Sequence, residues 1–449
     1  MYLKKNAQRM DWAAWLVFTL IFLGLPSMVH ADLMDVLTKF QPSLTLEEQY
    51  SDNINLTHKN KKDDFITTIY PGLKFSTLPK SAITGQFQEG PPTEEEKLGI
   101  DLNYRLGLVF YAKETENNYI SHEGTLNAWY SPDRRLTFRV REYLIRSEEP
   151  RERDYSAQAS SGQYLLATQR ERSIYLRNVL EPSVEYKFGP ENLFALSYRN
   201  NIYDNQNPQF QDSREDFLNP RLTYWFDIRN GVSLEYGLTV GDFERSPDLV
   251  GHMFRGRYTY RFTPRTSIFA EYTLLRRDFK DPGIDYDVHQ PSLGIEHAFS
   301  PTLSGRVQLG YFWQNPPARS SGTDGLFYDA ALTQRAEKTT YTLSFQGGYT
   351  EDYFTAQNLG FVKYHRAIGT ITHRFWERMT LGFLGTLERA QYTSGRTDWT
   401  WGIGGNGFYQ ILRWLNLSLD ISYRDNNSNV LEAEYSEVRG IFRISVIYP

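Results

Sequence analysis

The chain has 449 residues, a formal net charge of −5, no cysteine and 15% aromatic residues. The lack of cysteine excludes disulfide scaffolds, thiolate zinc sites and covalent haem attachment. A helical membrane transporter is also excluded, because it needs repeated apolar runs of about 20 residues and the sequence holds one candidate, near its N-terminus. The 31 tyrosines and 28 phenylalanines predict a chain that buries a large ring area instead of staying disordered.

Residues 1–31 have the organisation of a secretory signal peptide. A basic start is followed by an apolar stretch from Ala13 to Leu25 and by a small-residue cleavage site ending at Ala31. The alternative is a membrane anchor, but the apolar stretch is shorter than the ~20 residues of a helical span. We therefore expect an exported protein with a short periplasmic segment at 32–42 and one domain at 43–449.

From Leu44 onward, apolar and polar residues alternate in long segments. In residues 98–110 every even position is apolar, and the same alternation recurs at the even positions of residues 232–240 and at the odd positions of residues 303–313. Such segments predict strands well above the usual five or six residues, each with one apolar and one polar face.

Two architectures use strands of this kind. A soluble β-sandwich buries the apolar faces inside. A transmembrane β-barrel turns them outward to lipid, keeps charges in the lumen and places aromatic rings at both membrane interfaces. Strand length, alternation, ring placement and the export signal agree on the second architecture. The sequence therefore predicts an all-β fold, a transmembrane antiparallel up-and-down β-barrel of the bacterial outer membrane.

Aromatic pairs that precede tight turns predict the orientation of the barrel. They occur at Tyr186-Lys-Phe188, Tyr224-Trp-Phe226, Tyr260-Arg-Phe262 and His297-Ala-Phe299. Short turns with a ring belt are typical of the periplasmic side, and longer polar connections are typical of the outer side. We expect outer loops at 147–170, 205–214 and 315–325.

The alternation predicts about 18–20 strands. They are placed at 43–56, 65–78, 98–112, 120–130, 135–146, 172–188, 192–204, 216–227, 231–244, 252–263, 266–279, 287–299, 302–314, 326–335, 339–352, 361–375, 378–392, 398–411, 414–425 and 434–448. An even count places both termini in the periplasm. The last segment looks like the C-terminal signal that outer-membrane assembly machinery recognises, although it ends in Pro449.

The polar faces carry arginines and carboxylates that must face a polar interior, because an arginine at the lipid midplane costs roughly 2–4 kcal/mol. One interpretation is that they pair across strands and stiffen the wall. The other is that they form a path for solutes, with a basic ladder that an anionic solute could follow. This candidate path comprises Arg105, Arg177, Arg199, Arg221, Trp225, Arg255, Arg257, Arg261 and Arg306.

A barrel of this size encloses more space than its own side chains fill. We expect the outer loop with residues 148–154 and 156–162 to form a constriction, the alternative being a solvated surface loop. The sequence has no nucleophile motif with a positioned base, no P-loop, no zinc motif and no dinucleotide fingerprint. It therefore predicts no enzyme, no cofactor, no metal site and no nucleic-acid partner.

Two N-terminal passages resemble a family of outer-membrane β-barrel porins found with exopolysaccharide biosynthesis and export loci. Residues 43–54 are similar to the family's opening strand, which ends in Tyr-x-Asp-Asn, and residues 64–73 are similar to its second strand with a Pro-Gly step. The resemblance implies an outer-membrane pore for polysaccharide, a polysaccharide cargo and a periplasmic polysaccharide-export protein as partner. It offers no catalytic residues.

Three functions follow from these observations. The first is passage of exopolysaccharide across the outer membrane. The second is a general or anion-preferring diffusion porin for small solutes, and the third is a non-conducting anchor or adhesin. In the first function, Tyr and Trp rings would stack on sugar faces while Arg and Glu exchange hydrogen bonds with hydroxyl groups.

Overall fold

The computed structural model describes residues 39–77, 97–152, 168–169, 172–316, 322–355 and 358–448. The expected signal peptide and most of the expected 32–42 segment lie outside these ranges. The compact unit that holds the barrel extends from Pro42 to Pro449. No helix among the described residues is long and apolar enough to cross a membrane.

The barrel is built from twenty long strands. They are β1 (Phe40–Ser51), β2 (Asp64–Ser76), β3 (Leu98–Tyr111), β4 (Tyr119–Tyr130), β5 (Leu136–Ser147), β8 (Tyr175–Lys187), β9 (Leu193–Asn205), β10 (Ser213–Trp225), β11 (Asn230–Phe243), β12 (Leu249–Thr263), β13 (Thr266–Phe279), β14 (Tyr286–Ala298), β15 (Leu303–Asn315), β16 (Asp324–Arg335), β17 (Thr339–Asp352), β18 (Gly360–Trp376), β19 (Met379–Tyr392), β20 (Thr397–Leu412), β21 (Leu415–Ser428) and β22 (Tyr435–Ile447). The short strands β6 (Arg151–Glu152) and β7 (Thr168–Gln169) pair with each other only, and 3₁₀ turns lie at Thr115–Asn117 and Leu431–Ala433.

Each barrel strand pairs antiparallel with the next barrel strand in the chain, and the last strand returns to the first. β1 pairs with β22 from Ser43 opposite Ile447 to Ser51 opposite Arg439. This closure leaves no open sheet edge, which a spanning sheet needs because hydrocarbon offers no partner for backbone N–H and C=O groups. The predicted fold class and the upper strand count are confirmed.

Strand limits agree with the alternation pattern to within three residues, except at the end of β1. The pattern extends that strand to residue 56, but pairing ends at Ser51. Asn53 closes a loop there: its Nδ2 donates to the Thr57 carbonyl at 2.8 Å, and the Thr57 N–H donates back to its Oδ1 at 3.0 Å. Local side-chain hydrogen bonds of this kind compete with strand pairing.

The apolar faces point outward. On β3, Leu98, Tyr104 and Phe110 expose 44%, 40% and 46% of their surface, whereas the interleaved Val109 and Tyr111 are buried. Short turns at one end of the barrel are bordered by exposed outward rings such as Phe226 and Phe262. The opposite end carries the longer connections apart from the one between Ser76 and Leu98, which makes it the outer side.

Arginine substitutions on neighbouring residues of β17 test which face meets lipid. Leu343 points outward near the middle of the spanning part of its strand, and Ser344 points into the lumen. We expect Leu343→Arg to lower the free energy of unfolding by roughly 2–4 kcal/mol and Ser344→Arg to lower it by less than about 1 kcal/mol. Urea unfolding of the barrel in lipid vesicles measures both. Equal losses would contradict an outward face solvated by hydrocarbon.

Candidate functional site

The lumen wall carries arginines held between a carboxylate and an aromatic ring. The Arg105 Nε donates to Glu123 Oε2 at 3.0 Å, and its guanidinium lies 4.9 Å from the centre of the Tyr70 ring. The same arrangement is found for Arg199 with Glu215 and Phe217, and for Arg257 with Glu271 and Phe269. Because both neighbours fix the guanidinium plane, these side chains are ordered features of the wall.

The basic ladder expected on β10 and β12 is interleaved with acids. Glu235 of β11 stands opposite Arg221 on one side and Arg255 on the other, and it accepts a hydrogen bond from Arg255 Nη1 at 3.0 Å. Arg257 pairs with Glu271, and Arg261 pairs with Glu191. The charges of the ladder are therefore largely neutralised by acids from neighbouring strands and turns, as in the first interpretation of the sequence.

Arg221 differs from the other candidate arginines. Its side chain is exposed to the lumen, and it has no ion pair or hydrogen bond within the described ranges. Arg177 is 6% exposed and donates from Nε to Asn201 Oδ1 at 3.2 Å. Arg306 donates to Gln308 Oε1 at 2.8 Å and lies near two acids, with Asp329 at 3.6 Å and Glu296 at 3.9 Å.

Trp225 lies at the periplasmic end of the lumen and has its ring occupied by neighbours. The Arg261 guanidinium covers the ring at 3.6 Å, and the position of a Cβ on Gly231 would fall 2.7 Å from ring carbons. A side chain at Gly231 would therefore displace the Trp225 ring. Of the two roles that the sequence allows for Trp225, stacking on a sugar and packing in the wall, these contacts correspond to packing in the wall.

The outer end of the β17–β18 hairpin leaves the barrel wall and lies inside the lumen. Pairing between β16 and β17 ends at Tyr328 and Gly347, whereas β17 and β18 stay paired as far as Asp352 and Gly360. Gly348 has a φ of +156°, a conformation that residues with a side chain rarely adopt. We call residues 348–355 and 358–363 the inner hairpin.

The inner hairpin covers the inward faces of β13–β15 with an apolar contact. Tyr349 and Phe361 stack at 5.0 Å and pack on Phe312, whose side chain is fully buried. Leu275 and Val288 complete this cluster. By the alternation of β17 and β18, Tyr349 and Phe361 lie on the face that meets lipid in the membrane-spanning part of these strands. In the inner hairpin the same face packs on the inner wall of the barrel instead.

A buried ion pair fixes the inner hairpin to the wall. Glu351 accepts hydrogen bonds from Arg277 Nε at 3.0 Å and Nη2 at 2.6 Å, and from the Tyr286 hydroxyl at 2.5 Å. The Arg277 and Glu351 side chains expose 11% and 15% of their surface. Such a pair fixes the orientation of the hairpin on the wall, because removing either charge leaves the other buried without a partner.

The tip of the hairpin reaches the rim at β11. Phe354 stacks on Phe243 at 5.2 Å, and Asn358 Nδ2 donates to Ser246 Oγ at 2.8 Å. The backbone N–H of Ser246 donates to Gln211 Oε1 at 2.9 Å in the β9–β10 loop. The hairpin therefore spans the inner wall from β16 to β11. The sequence did not predict it, because the alternation assigns residues 339–352 and 361–375 to ordinary strands. The expected constriction at 148–154 and 156–162 lies mostly outside the described residues.

A carboxyl group beside this rim has an unusual acidity. Asp212 lies in the outer β9–β10 loop, outside the spanning segments, and its Oδ1 accepts a hydrogen bond from the Asn205 N–H at 2.8 Å. Burial, helped by the nearby charges of Asp204 and Glu244, raises the pKa of Asp212 to about 6 against the opposing hydrogen bonds from Asn205. The described residues contain no group of three or more side chains suited to hold a metal ion.

Comparison with known families gives the class of this barrel. Residues 237–446 match the family described as "Putative beta-barrel porin 2". The protein is a bacterial outer-membrane β-barrel. The match confirms the expected relation to a barrel porin family and supports a porin-type channel, and it carries no link to exopolysaccharide. No curated protein matches the chain.

Solved structures agree on the fold. The ferric enterobactin receptor PfeA of Pseudomonas aeruginosa has 9% identity and a TM-score of 0.51, with 91% of this chain and 81% of that chain covered. The siderophore receptor PirA of the same organism has 8% identity and a TM-score of 0.50, with 92% and 80% covered. At this identity the likeness shows the outer-membrane barrel fold alone.

Neutralising Glu351 should loosen the inner hairpin. Glu351→Gln leaves Arg277 buried without a counter-charge. This should weaken the free energy of docking the hairpin onto the wall by about 3–5 kcal/mol. We expect faster amide hydrogen exchange in residues 349–355 and unchanged exchange in the core of β3. Glu337→Gln in the exposed turn after β16 is the matched control. Unchanged exchange in residues 349–355 would show that the ion pair does not hold the hairpin.

The β9–β10 loop should open as pH rises. Because the folded-state pKa of Asp212 is raised above its ordinary value of 3.8, the folded loop binds the proton more tightly. Its stability is therefore greatest below pH 3.8, falls as pH rises towards about 6 and is lowest above that. Amide exchange at Phe210, whose N–H donates to the Asn207 carbonyl within this loop, measures the opening after correction for intrinsic rates. Asp212→Asn should remove the pH dependence, and a persisting dependence would contradict the assignment.

Proposed function

We propose that this barrel is a channel for saccharides, with exopolysaccharide as its cargo. The observation that carries the proposal is the chemistry of the lumen wall. Arginines are paired with carboxylates, and amides such as Asn219 and Gln308 lie between them. A wall with little net charge and many hydrogen-bonding groups suits a neutral, hydroxyl-rich solute better than a simple ion.

The wall that the inner hairpin leaves uncovered has the same character. Arg443 lies between Glu47 and Asp420, and Arg366 pairs with Glu388. Between these pairs, β20 and β21 turn hydroxyl and amide groups inward, for example Thr400. Weak contacts distributed along a wall let a sugar exchange partners without being trapped.

A general porin for small solutes is the second candidate. The inner hairpin favours it, because a segment docked across the inward faces of β11–β16 narrows the outer mouth. Polymer passage then requires either the uncovered half of the lumen or movement of the hairpin. A non-conducting anchor or adhesin is the third candidate, and no described contact favours it.

Conductance and polymer export separate the three candidates. In planar bilayers we expect an open channel whose current is interrupted by added oligosaccharide. Deleting the gene should lower surface polysaccharide and leave uptake of small solutes unchanged. Normal polymer with impaired uptake would assign the protein to the second candidate. The absence of any current, also for the Glu351→Gln variant with its loosened hairpin, would assign it to the third.

Ion selectivity tests whether the arginine ladder is neutralised by its acids. Wild-type protein should discriminate little between cations and anions. Glu235→Gln with Glu271→Gln frees Arg255 and Arg257, so we expect reversal potentials to shift towards anion preference. The matched pair Arg255→Gln with Arg257→Gln should shift them the opposite way. Strong anion preference of the wild type, unchanged by either pair of substitutions, would contradict a wall of balanced charge.

A further inference from the structure

Four histidines lie at one level on the outward face of the barrel. They are His122, His252, His289 and His365, and each is eight residues along its strand from the periplasmic ring positions Tyr130, Tyr260, His297 and His373. With a rise of about 3.3 Å per residue and a tilt near 40°, eight residues span about 20 Å along the barrel axis. We call these four residues the outer histidine ring. Their level is close to the far side of the apolar band, which is ~25 Å tall.

Each histidine of the outer ring is held by a tyrosine, on the adjacent strand in three cases and, for His365, two strands away across Gly347 of β17. The Tyr hydroxyl and the His Nδ1 lie 2.8 Å apart in Tyr104–His122 and Tyr236–His252, 2.6 Å in Tyr272–His289 and 3.1 Å in Tyr328–His365. We assign the phenol as donor, since it has a proton to give and Nδ1 of a neutral imidazole can accept it. The remaining ring N–H is then on Nε2 and is available to a ligand.

An arginine stands directly opposite the histidine at three of these four positions. The cross-strand partners are Arg146 for His122, Arg276 for His252 and Arg389 for His365. The fourth partner is Trp313, which stacks on His289 at 5.3 Å. Three separated strand groups therefore repeat a tyrosine, a histidine and an arginine on the face that meets the membrane.

Two of the three arginines have no acidic partner. Arg146 donates from Nη1 to the Ile120 carbonyl at 2.7 Å, and Arg389 lies 5.4 Å from the Trp399 ring centre; neither forms an ion pair with a described residue. Arg276 differs, since it lies 3.2 Å from Asp278 and 4.0 Å from Asp287. Glu142, the nearest acid along β5, accepts a hydrogen bond from Asn178 on the next strand.

We propose that His122 with Arg146, and His365 with Arg389, form two binding sites for the phosphate of an outer-leaflet lipid headgroup. A guanidinium offers two parallel N–H groups that match a phosphate, and the imidazole Nε2–H adds a third donor. The sites face the membrane at headgroup level, so the phosphate arrives attached to a lipid. An unpaired arginine at this level is costly beside hydrocarbon and favourable beside an anionic headgroup.

Lipid titration of the full-length purified protein in detergent micelles tests the proposal. Native mass spectrometry counts the lipids bound when bisphosphorylated lipid A, or the same lipid without its phosphates, is added. We expect two tight sites for the phosphorylated form and binding at least tenfold weaker for the other, the value of one lost charge-assisted hydrogen-bond pair. Arg146→Gln and Arg389→Gln should each remove one tight site, and the double variant should remove both.

His289→Gln is the matched control, because that position has the tyrosine and the histidine but no arginine. It should keep both tight sites. Migration in an unheated denaturing gel confirms that every variant remains a folded barrel. Equal binding of the two lipid forms, or two tight sites in the double variant, would overturn the proposal. Displacement of the lipid by inorganic phosphate at matched concentration would assign the sites to free phosphate and overturn it as well.

Discussion

The structure depends on one constraint: in hydrocarbon, every backbone N–H and C=O group must find its partner within the protein. The chain meets this constraint by closing twenty strands into a barrel. The closure joins the first and last parts of the barrel chain, where the Tyr448 N–H donates to the Pro42 carbonyl at 2.9 Å. Closure determines which environment each face of a strand meets. One face meets lipid and the other meets the lumen, so a period of two in the sequence becomes a barrel with an apolar outside and a charged inside.

That period explains how much of the fold could be predicted. Long alternating segments determine strand number, direction and facing residues, because a shift of one residue would place every charge of a strand in lipid. The same logic placed Arg199 and Arg257 in the lumen. It could not give their partners: Glu215 and Glu271 lie on neighbouring strands, and register is fixed by pairing that a single strand does not encode.

The inner hairpin lay beyond sequence reasoning for a related physical reason. Tyr349 and Phe361 continue the outward parity of their strands, so the pattern assigns them to lipid. At Gly348 the hairpin leaves β16, and the same side of the ribbon then packs on Phe312 of the inner wall. Periodicity reports that a face is apolar but not which apolar surface it meets. A signal was available in the Gly347-Gly348 pair, since paired glycines inside a strand often mark a bend.

The partners of an arginine in this barrel depend on whether it lies on the inner or the outer side of the wall. Inside, Arg257 has Glu271 and the Phe269 ring, so the lumen can offer hydrogen bonds with little net field. At the outer interface, Arg146 and Arg389 form no ion pair with a described residue, whereas Arg276 at the same level is paired with Asp278. An acid beside each arginine would neutralise it, whereas an arginine left open on the outward face is stabilised where the membrane supplies the anion. Most lumen arginines are therefore paired with acids, Arg221 being the exception, whereas Arg146 and Arg389 are left open on the face that meets headgroups.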